Sequence, residues 1–189
     1  FLFNVLTWNR SVAEQHNVEA STVYGSVLIK TLLSLPHCKT LQECMSAQSP
    51  STIREMSMHK VASHVIQEFL GSPNVDAEVK NKIVQAFDNH WQPLIESQYG
   101  SFVFQSIWSS TVFDVSRKQA VMKKLIGIHS QERSWKCVLF KCDSLLFKKD
   151  QKAWVNKWKQ AGENSKKKEQ KYAKIAEKRQ NKLNRQKAE

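Results

Sequence analysis

Glycine and proline are both scarce in this sequence, which has five glycines and four prolines among 189 residues. These two residue types supply most tight turns, and an all-β chain needs many of them. The sequence also lacks the apolar–polar alternation that marks half-buried strands. Since 41% of the residues are hydrophobic, the composition predicts an all-α fold with enough apolar side chains for a core.

Cysteine is sparse as well, and no CxxC pair occurs among Cys38, Cys44, Cys137 and Cys142. No secretory signal is recognisable, so we expect a reduced compartment and buried free thiols. A zinc site that joins Cys137 and Cys142 to a histidine stays open as an alternative, although this spacing fits no common ligand pattern. The chain begins at Phe1 in an apolar segment, and we expect it to be part of a longer protein.

Long apolar runs and catalytic motifs are also lacking. No run approaches the roughly 18 apolar residues that a membrane span requires, so we expect no membrane partner. No glycine-rich phosphate loop, metal-spaced cluster or nucleophile–base pair is recognisable, so we expect no catalysis, no cofactor, no metal and no small-molecule substrate. His64 is the residue whose type best suits catalysis, and an enzyme stays open as one alternative hypothesis.

Acidic residues are few in the last part of the chain. Residues 148–189 carry 15 basic and 5 acidic side chains, a net charge of +10, whereas residues 1–147 carry 14 and 12, a net charge of +2. A tail with this excess favours a polyanion such as RNA through phosphate neutralisation; the alternative is a solvated basic helix without a ligand. Because lysines alternate there with Ala, Glu and Gln, we expect residues 162–189 to be helical or disordered.

An internal repeat organises the rest of the sequence. Four segments align, namely YGSVLIKTLL from Tyr24, VASHVIQEFL from Val61, YGSFVFQSIW from Tyr99 and WKCVLFKCDS from Trp135. Their second residues, Gly25, Ala62, Gly100 and Lys136, are 37, 38 and 36 positions apart. A steady period of about 36–38 residues with helical apolar spacing predicts an α-solenoid, in which each unit stacks on its neighbours.

The spacing divides each aligned helix into two faces. Counted from the small residue as position zero, positions +3, +4, +7 and +8 point in one direction at about 100° per residue, and they are mostly apolar. Positions +1, +2 and +5 point the other way and are predicted to be exposed. They hold Ser26, Val27 and Lys30; Ser63, His64 and Gln67; Ser101, Phe102 and Gln105; and Cys137, Val138 and Lys141.

These triplets favour a nucleic-acid ligand. A surface helix gains nothing from an exposed ring such as Phe102, whereas a flat middle residue is suited to stack on a base while the outer two bond its edge. Val27 with Lys30 suits a phosphate contact better, and Lys141 belongs to the least regular triplet. The alternative is a set of ordinary solvated positions with one stray aromatic ring.

YGSFVFQSIW and VASHVIQEFL resemble the reading helix of Pumilio-family (PUF) repeats, over about residues 20–147. The runs MHKVASHVIQEFLGSPNV and LLFKKDQKAWVNKW most resemble the C-terminal repeats and tail of the nucleolar protein nine family. We therefore expect 1–19 to be the end of a preceding repeat or a connector, 20–147 to hold about four repeats with a degenerate last one, and 148–161 to be a capping helix. Trp154 and Trp158 are expected to cover the open end of the last repeat.

The resemblance also implies a function. It implies a non-catalytic protein of the nucleolus or nucleus that binds pre-rRNA, in single-stranded segments and nearby structured regions, beside proteins of the pre-ribosomal particle during 18S rRNA maturation. It implies that the triplets at Ser63, His64 and Gln67 and at Ser101, Phe102 and Gln105 are the base-reading residues. Two alternatives stay open: a cytoplasmic Pumilio regulator that binds mRNA, and a HEAT- or armadillo-like solenoid that binds a protein.

Overall fold

The computed structural model describes residues 2–6, 18, 21–35 and 38–164 of the chain. These ranges form the helices α1 (Leu2–Leu6), α2 (Val23–Ser34), α3 (Lys39–Ser46), α4 (Pro50–Met58), α5 (Ala62–Gly71), α6 (Ala77–Gln85), α7 (Trp91–Glu96), α8 (Gly100–Ser109), α9 (Val115–Ile126), α10 (Arg133–Lys141), α11 (Ser144–Lys149) and α12 (151–164). Over the same ranges the backbone contains no strand. The all-α prediction is confirmed.

Two of the predicted segments fall largely outside this description. Most of the expected connector at 1–19 and nearly all of the expected basic tail at 162–189 lie outside the described residues. The division of the chain at 19, 147 and 161 therefore stays a prediction. Within the part of the chain that the structure covers, no helix is long and apolar enough to cross a membrane.

The helices repeat in sets of three. In each set the first helix packs on the second, as α1 does on α2, α4 on α5 and α7 on α8. The second helices also pack side by side, α2 on α5 and α5 on α8, and the third helices α3 and α6 touch each other. Equivalent helices that stack on one another in this way form an α-solenoid, as the period of the sequence predicted.

Polar side chains fix where several helices begin. The Thr22 hydroxyl accepts a hydrogen bond from the Gly25 N–H at the start of α2, and Ser49 accepts one from Thr52 at the start of α4. The Asp114 carboxylate accepts the Arg117 N–H at 2.8 Å at the start of α9. Each cap satisfies an N–H group that has no partner within its helix.

Glycine at position zero allows the close packing of second on first helices. A Cβ atom at Gly25 would collide with the backbone carbonyl of Leu6 in α1, and one at Gly100 with that of Leu94 in α7. No rearrangement of a side chain relieves a collision with the backbone. The small residue that marks the repeat therefore sets the distance between the two helices.

Aromatic side chains fill the core between the second and third sets. The Trp91 ring lies 6.0 Å from Phe87, 5.8 Å from Phe104 and 5.7 Å from Phe113, measured between ring centroids. Phe104 also stacks on Trp108 at 5.6 Å. Since aromatic rings bury more area than other side chains, this cluster joins α7, α8 and α9 into one body.

The core continues into α12 through two more tryptophans. Trp154 is fully buried, contacts Phe147 and Trp108 at centroid distances of 4.9 and 6.2 Å, and donates its ring N–H to the Cys142 carbonyl at 2.8 Å. Trp158 lies 5.5 Å from Trp108. Both rings therefore pack against the end of α8, in the third set of helices. Their expected role as a cap on the last repeat stays a prediction.

The segment at Trp135 departs from the predicted alignment. Val138, predicted to be exposed, is fully buried, and Phe140, predicted to be buried, is 80% exposed. Helix α10 follows α9 along the chain as α7 follows α6, and it packs on α7 as well as on α8. Trp135, Val138 and Leu139 have the spacing of Trp91, Leu94 and Ile95 in α7. The structure thus gives α10 the place of a first helix, and its alignment with second helices was wrong.

The first repeat also departs from the predicted burial at one point, because Leu28, expected in the core, is 37% exposed.

The prediction for the thiols was right for one cysteine and wrong for another. Cys142 is buried, Cys137 is exposed, and Cys38 and Cys44 are partly buried; none of the four is in a disulfide. Burial raises the pKa of the Cys142 thiol, and the nearby Asp143 carboxylate raises it further. Among the described residues, no group of three or more His, Cys, Asp or Glu side chains is placed to hold a metal ion.

Candidate nucleic-acid interface

The second helices present one repeated residue to solvent. Val27 on α2 is 57% exposed, His64 on α5 is exposed, and Phe102 on α8 is 51% exposed. We call this side of α2, α5 and α8, marked by these three residues, the repeat face. Because α5 packs against both α2 and α8, the three side chains follow one another from helix to helix. The exposure predicted for position +2 is confirmed for these helices.

The serines at position +1 are buried rather than exposed. Ser26, Ser63 and Ser101 have relative exposures of 9%, 1% and 5%, so the predicted exposure of this position was wrong. The reason is that second helices pack side by side, which covers the edge of the exposed face. The Ser101 hydroxyl donates to the Gln98 carbonyl at 2.8 Å. These serines therefore lie deep between the helices, where a ligand on the repeat face reaches them only if it enters the gap.

The glutamines at position +5 are half-buried and held by their own helices. The Gln67 side-chain NH₂ donates to the Ser63 carbonyl at 3.3 Å, and that of Gln105 donates to the Ser101 carbonyl at 3.1 Å. The two amides therefore have the same orientation on neighbouring helices. An amide fixed in this way presents its carbonyl oxygen in a defined direction, which suits the recognition of a base edge.

Lys30 and Lys141, which the sequence predicted to contact the ligand, each bond to a residue of a neighbouring helix. Lys30 on α2 forms an ion pair with Glu68 on α5, with 3.4 Å between Nζ and Oε2. Lys141 on α10 donates to the Gln105 side-chain oxygen. Although α10 does not belong to the row of second helices, its last residue thus reaches the repeat face. Both ammonium groups are exposed and accessible to a phosphate.

A groove lies on the repeat face between α2 and α5, with a cavity of about 470 Å³. Its lining includes the predicted residues Ser26, Val27, Lys30, His64 and Gln67. Five further lining residues, Val23, Lys60, Val61, Glu68 and Tyr99, were not predicted. Tyr99 comes from the turn before α8, so all three sets of helices approach this groove. The structure brings the whole triplet of Ser26, Val27 and Lys30 together here with His64 and Gln67 of the next triplet.

Two exposed or groove-lining tyrosines also belong to the interface, although the sequence did not predict them. Tyr99 lines the groove, and Tyr24 on α2 is 80% exposed. Both precede the small residue of the repeat, and that aromatic position was visible in the alignment. A residue at this position stands at the start of its helix, where the periodicity within the helix does not predict whether the side chain is exposed.

The stacked helix sets and their repeated exposed face define a helical-repeat protein of the α-solenoid class. The sequence matches the NOP9-like PUF repeat domain over residues 7–134. Because this match covers more than half of the chain, the chain belongs to the family of NOP9-like PUF repeat proteins. The resemblance to Pumilio repeats, and to the nucleolar protein nine family within them, is confirmed.

Individual proteins agree with this assignment. Nucleolar protein 9 of Penicillium rubens is 26% identical over 138 residues, which are 65% of this chain and 19% of that protein. The human protein of the same name is 26% identical over 111 residues, 59% of this chain and 17% of that protein. The chain thus spans about a fifth of the length of these curated relatives. Their name fits the nucleolar or nuclear localisation that the sequence predicted.

A solved structure shares the fold. The structure of APUM23–GGAUUUGACGG superposes with a TM-score of 0.68 and 15% identity, over 83% of this chain and 31% of that one. A second, APUM23–GGAGUUGACGG, gives a TM-score of 0.67 and 16% identity. At this identity the agreement concerns the fold, and it confirms the PUF-type solenoid.

Proposed function

We propose that the repeat face binds single-stranded RNA, with His64 and Phe102 stacking on bases. The observation that carries the proposal is the exposure of a flat side chain at the same position of adjacent helices, in a chain of the NOP9-like PUF family. Base–ring stacking contributes roughly 1–3 kcal/mol per base and tolerates any base. Both solved neighbours were determined with an RNA oligonucleotide, which supports the same ligand here.

The other residues of the face take the remaining roles. Gln67 and Gln105 are held in one orientation at the edge of the stacking residues, and they are proposed to bond base edges. Ser63 and Ser101, which lie deeper in the gaps between the helices, would assist only a base that enters these gaps. Lys30 and Lys141 are proposed to supply positive charge for phosphates. Ser26 and Val27 are proposed to contact the RNA beside Lys30, on the first of the three second helices.

Binding of the 189-residue chain to labelled GGAUUUGACGG, and to a random pool of the same length, tests this proposal. We expect Phe102→Ala to lower the affinity about tenfold, since stacking on one base is lost. Phe140→Ala is the matched control, because it also removes an exposed ring but from α10, and it should change the affinity less than about twofold.

Two results would contradict the repeat face as the RNA site. One is an equal loss of affinity in Phe102→Ala and Phe140→Ala. The other is an unchanged affinity in Phe102→Ala, with binding that disappears at high salt as expected for phosphate contacts alone. Thermal unfolding of both variants serves as the control for folding, since neither ring is buried.

We further propose that the RNA is pre-rRNA and that the protein acts in the nucleolus during maturation of the small-subunit 18S rRNA, beside proteins of the pre-ribosomal particle. The name of the relatives and the NOP9-like domain support this choice over a cytoplasmic mRNA regulator. Crosslinking in cells followed by sequencing should recover pre-rRNA. Recovery of mature mRNAs from the cytoplasm would favour the regulator instead.

The proposal includes no catalytic step, no cofactor, no membrane and no small-molecule substrate. His64 lies exposed on the repeat face, where a stacking role explains it. Incubation of the chain with labelled RNA should leave the RNA intact. Cleavage that disappears in His64→Ala would overturn this part of the proposal and restore the enzyme hypothesis.

A further inference from the structure

A second cavity, of about 310 Å³, lies away from the repeat face, between the end of α8, the start of α9 and α12. Its walls include Phe113 and Val115 before and within α9, Lys118 of α9 and Trp158 of α12. These are residues of the third and last helices, whereas the proposed RNA site lies on second helices. The two surfaces are therefore distinct, and neither inference depends on the other.

Lys118 is the unusual residue of this pocket. It is only 6% exposed, and its ammonium lies 4.9 Å from the centre of the Trp158 ring and 5.8 Å from that of Trp108. Within the described part of the chain it has neither a hydrogen-bond acceptor nor a carboxylate at ion-pair distance. Burial lowers the pKa of this lysine, although the nearby Asp114 carboxylate acts in the opposite direction. A buried cation without an anion is costly, so the site is suited to receive one.

Three more polar groups around Lys118 lack partners. The ring N–H groups of Trp108 and Trp158 and the hydroxyl of Ser110 are buried, and among the described residues none of them has a hydrogen-bond partner. The equivalent of Ser110 in the preceding set is Ser72, whose hydroxyl donates to the Leu33 carbonyl at 3.1 Å. Unpaired buried polar groups are rare in folded proteins. Here they cluster with one lysine, and every one of them is able to donate.

We propose that this α8–α9–α12 pocket binds a side-chain carboxylate of a partner protein, from an aspartate or glutamate that stands next to an apolar residue. The carboxylate would take hydrogen bonds from the Lys118 ammonium and from the two unpaired donors whose residues line the pocket, the Ser110 hydroxyl and the Trp158 ring N–H. The apolar neighbour would lie against Phe113, Val115 and Trp158. A carboxylate offers only acceptors, which is what a set of donors requires.

The rim of the pocket favours a single carboxylate over an RNA phosphate. Asp114 and Glu163 both line the cavity, together with Lys159. A nucleic-acid strand would carry its further phosphates past these two carboxylates, at a cost in repulsion. A peptide carries one local charge and supplies an apolar side chain, which matches a lining in which Phe113, Val115 and Trp158 are prominent.

Titration of the 189-residue chain with the blocked tripeptide Leu-Glu-Leu tests the proposal, with the indole N–H signals followed by NMR. The signal that Trp158→Phe removes identifies Trp158. We expect this signal to shift downfield and to saturate, because its N–H gains an acceptor. The blocked Leu-Gln-Leu peptide has the same shape without the charge, and it should bind at least about tenfold more weakly.

Variants separate binding from folding. Lys118→Met keeps the length of the side chain and removes the charge, and it should abolish the saturable shift. Lys123→Met removes the same charge from the exposed side of the same helix and should leave binding unchanged. Ser110→Ala should fold normally, since the hydroxyl has no partner to lose, and it should weaken binding several-fold. The Ser110→Ala variant therefore tests the proposal even if Lys118→Met does not fold.

Three results would overturn the proposal. The first is no saturable shift with either peptide. The second is equal binding of the Glu and Gln peptides, or equal losses in Lys118→Met and Lys123→Met. The third is a saturable shift of the Trp158 signal with inorganic phosphate or GGAUUUGACGG but not with Leu-Glu-Leu, which would assign the pocket to a phosphate.

Discussion

Helices α8 and α10 each carry one exposed phenylalanine, yet they occupy different places in the solenoid. Phe102 of α8 is 51% exposed, and Phe140 of α10 is 80% exposed. Helix α8 packs beside α5 in the row of second helices, whereas α10 packs on α7 and α8. Exposure alone therefore does not identify a binding residue. The place of the helix in the row decides whether its ring extends the repeat face.

The different places of α8 and α10 predict different effects of substitutions at Gly100 and Lys136, the two residues that the sequence aligned at position zero. Gly100→Val in α8 should lower the free energy of unfolding by about 3 kcal/mol, because the new side chain meets the Leu94 backbone carbonyl. Lys136→Val, at the exposed start of α10, should change it by less than about 0.5 kcal/mol. Urea unfolding measures both values. Similar losses in the two variants would mean that α10 packs as a second helix after all.

Thiol labelling tests the orientation of α10 on its own. Cys137 is exposed, whereas Cys142 is 2% exposed and burial raises the pKa of its thiol. Alkylation at neutral pH, read by peptide mass spectrometry, should modify Cys142 about 100-fold more slowly than Cys137, since it requires a local opening of about 3 kcal/mol. Denaturant should equalise the two rates. Equal rates in the native chain would contradict the described packing of α10.

The smallest effect is expected for the link between α2 and α5. Lys30 and Glu68 form an exposed pair at 3.4 Å, and such pairs contribute little to stability. Lys30→Gln should therefore change the free energy of unfolding by less than about 0.5 kcal/mol. If Lys30 contacts a phosphate, the same variant should reduce the salt dependence of RNA binding by about one unit of slope. A large loss of stability would show that the pair holds the two helices together.

Most of the fold was predictable from periodicity. The apolar spacing of the segments at Val61 and Tyr99 predicted the buried sides of α5 and α8, because both helices keep the same neighbours. The segment at Trp135 misled the prediction, because α10 has the place of a first helix but was aligned with second helices, whose buried positions follow a different register. Val138 and Phe140 show the consequence. The correct alignment pairs Trp135 with Trp91, because the apolar residues that follow each tryptophan have the same spacing.

The site was less predictable than the fold. Position +2 was predicted correctly at His64 and Phe102, because those side chains point directly away from the core. The burial of Ser63 follows from the lateral packing of second helices, which a single helix pattern does not contain. The sequence shows the aromatic position of Tyr99 but not its place in the groove, and it does not show the unpaired donors around Lys118, since both depend on contacts between helices of different sets.

Ultraviolet crosslinking of the 189-residue chain to single-stranded RNA, with the crosslinked residues located by mass spectrometry, shows directly whether the repeat face binds RNA. We predict crosslinks on the repeat face, at Phe102 and His64 and at the neighbouring Tyr99. Competition with unlabelled RNA should remove them together. Crosslinks confined to residues 133–189, with none on α5 or α8, would contradict the account and assign RNA binding to the end of the chain.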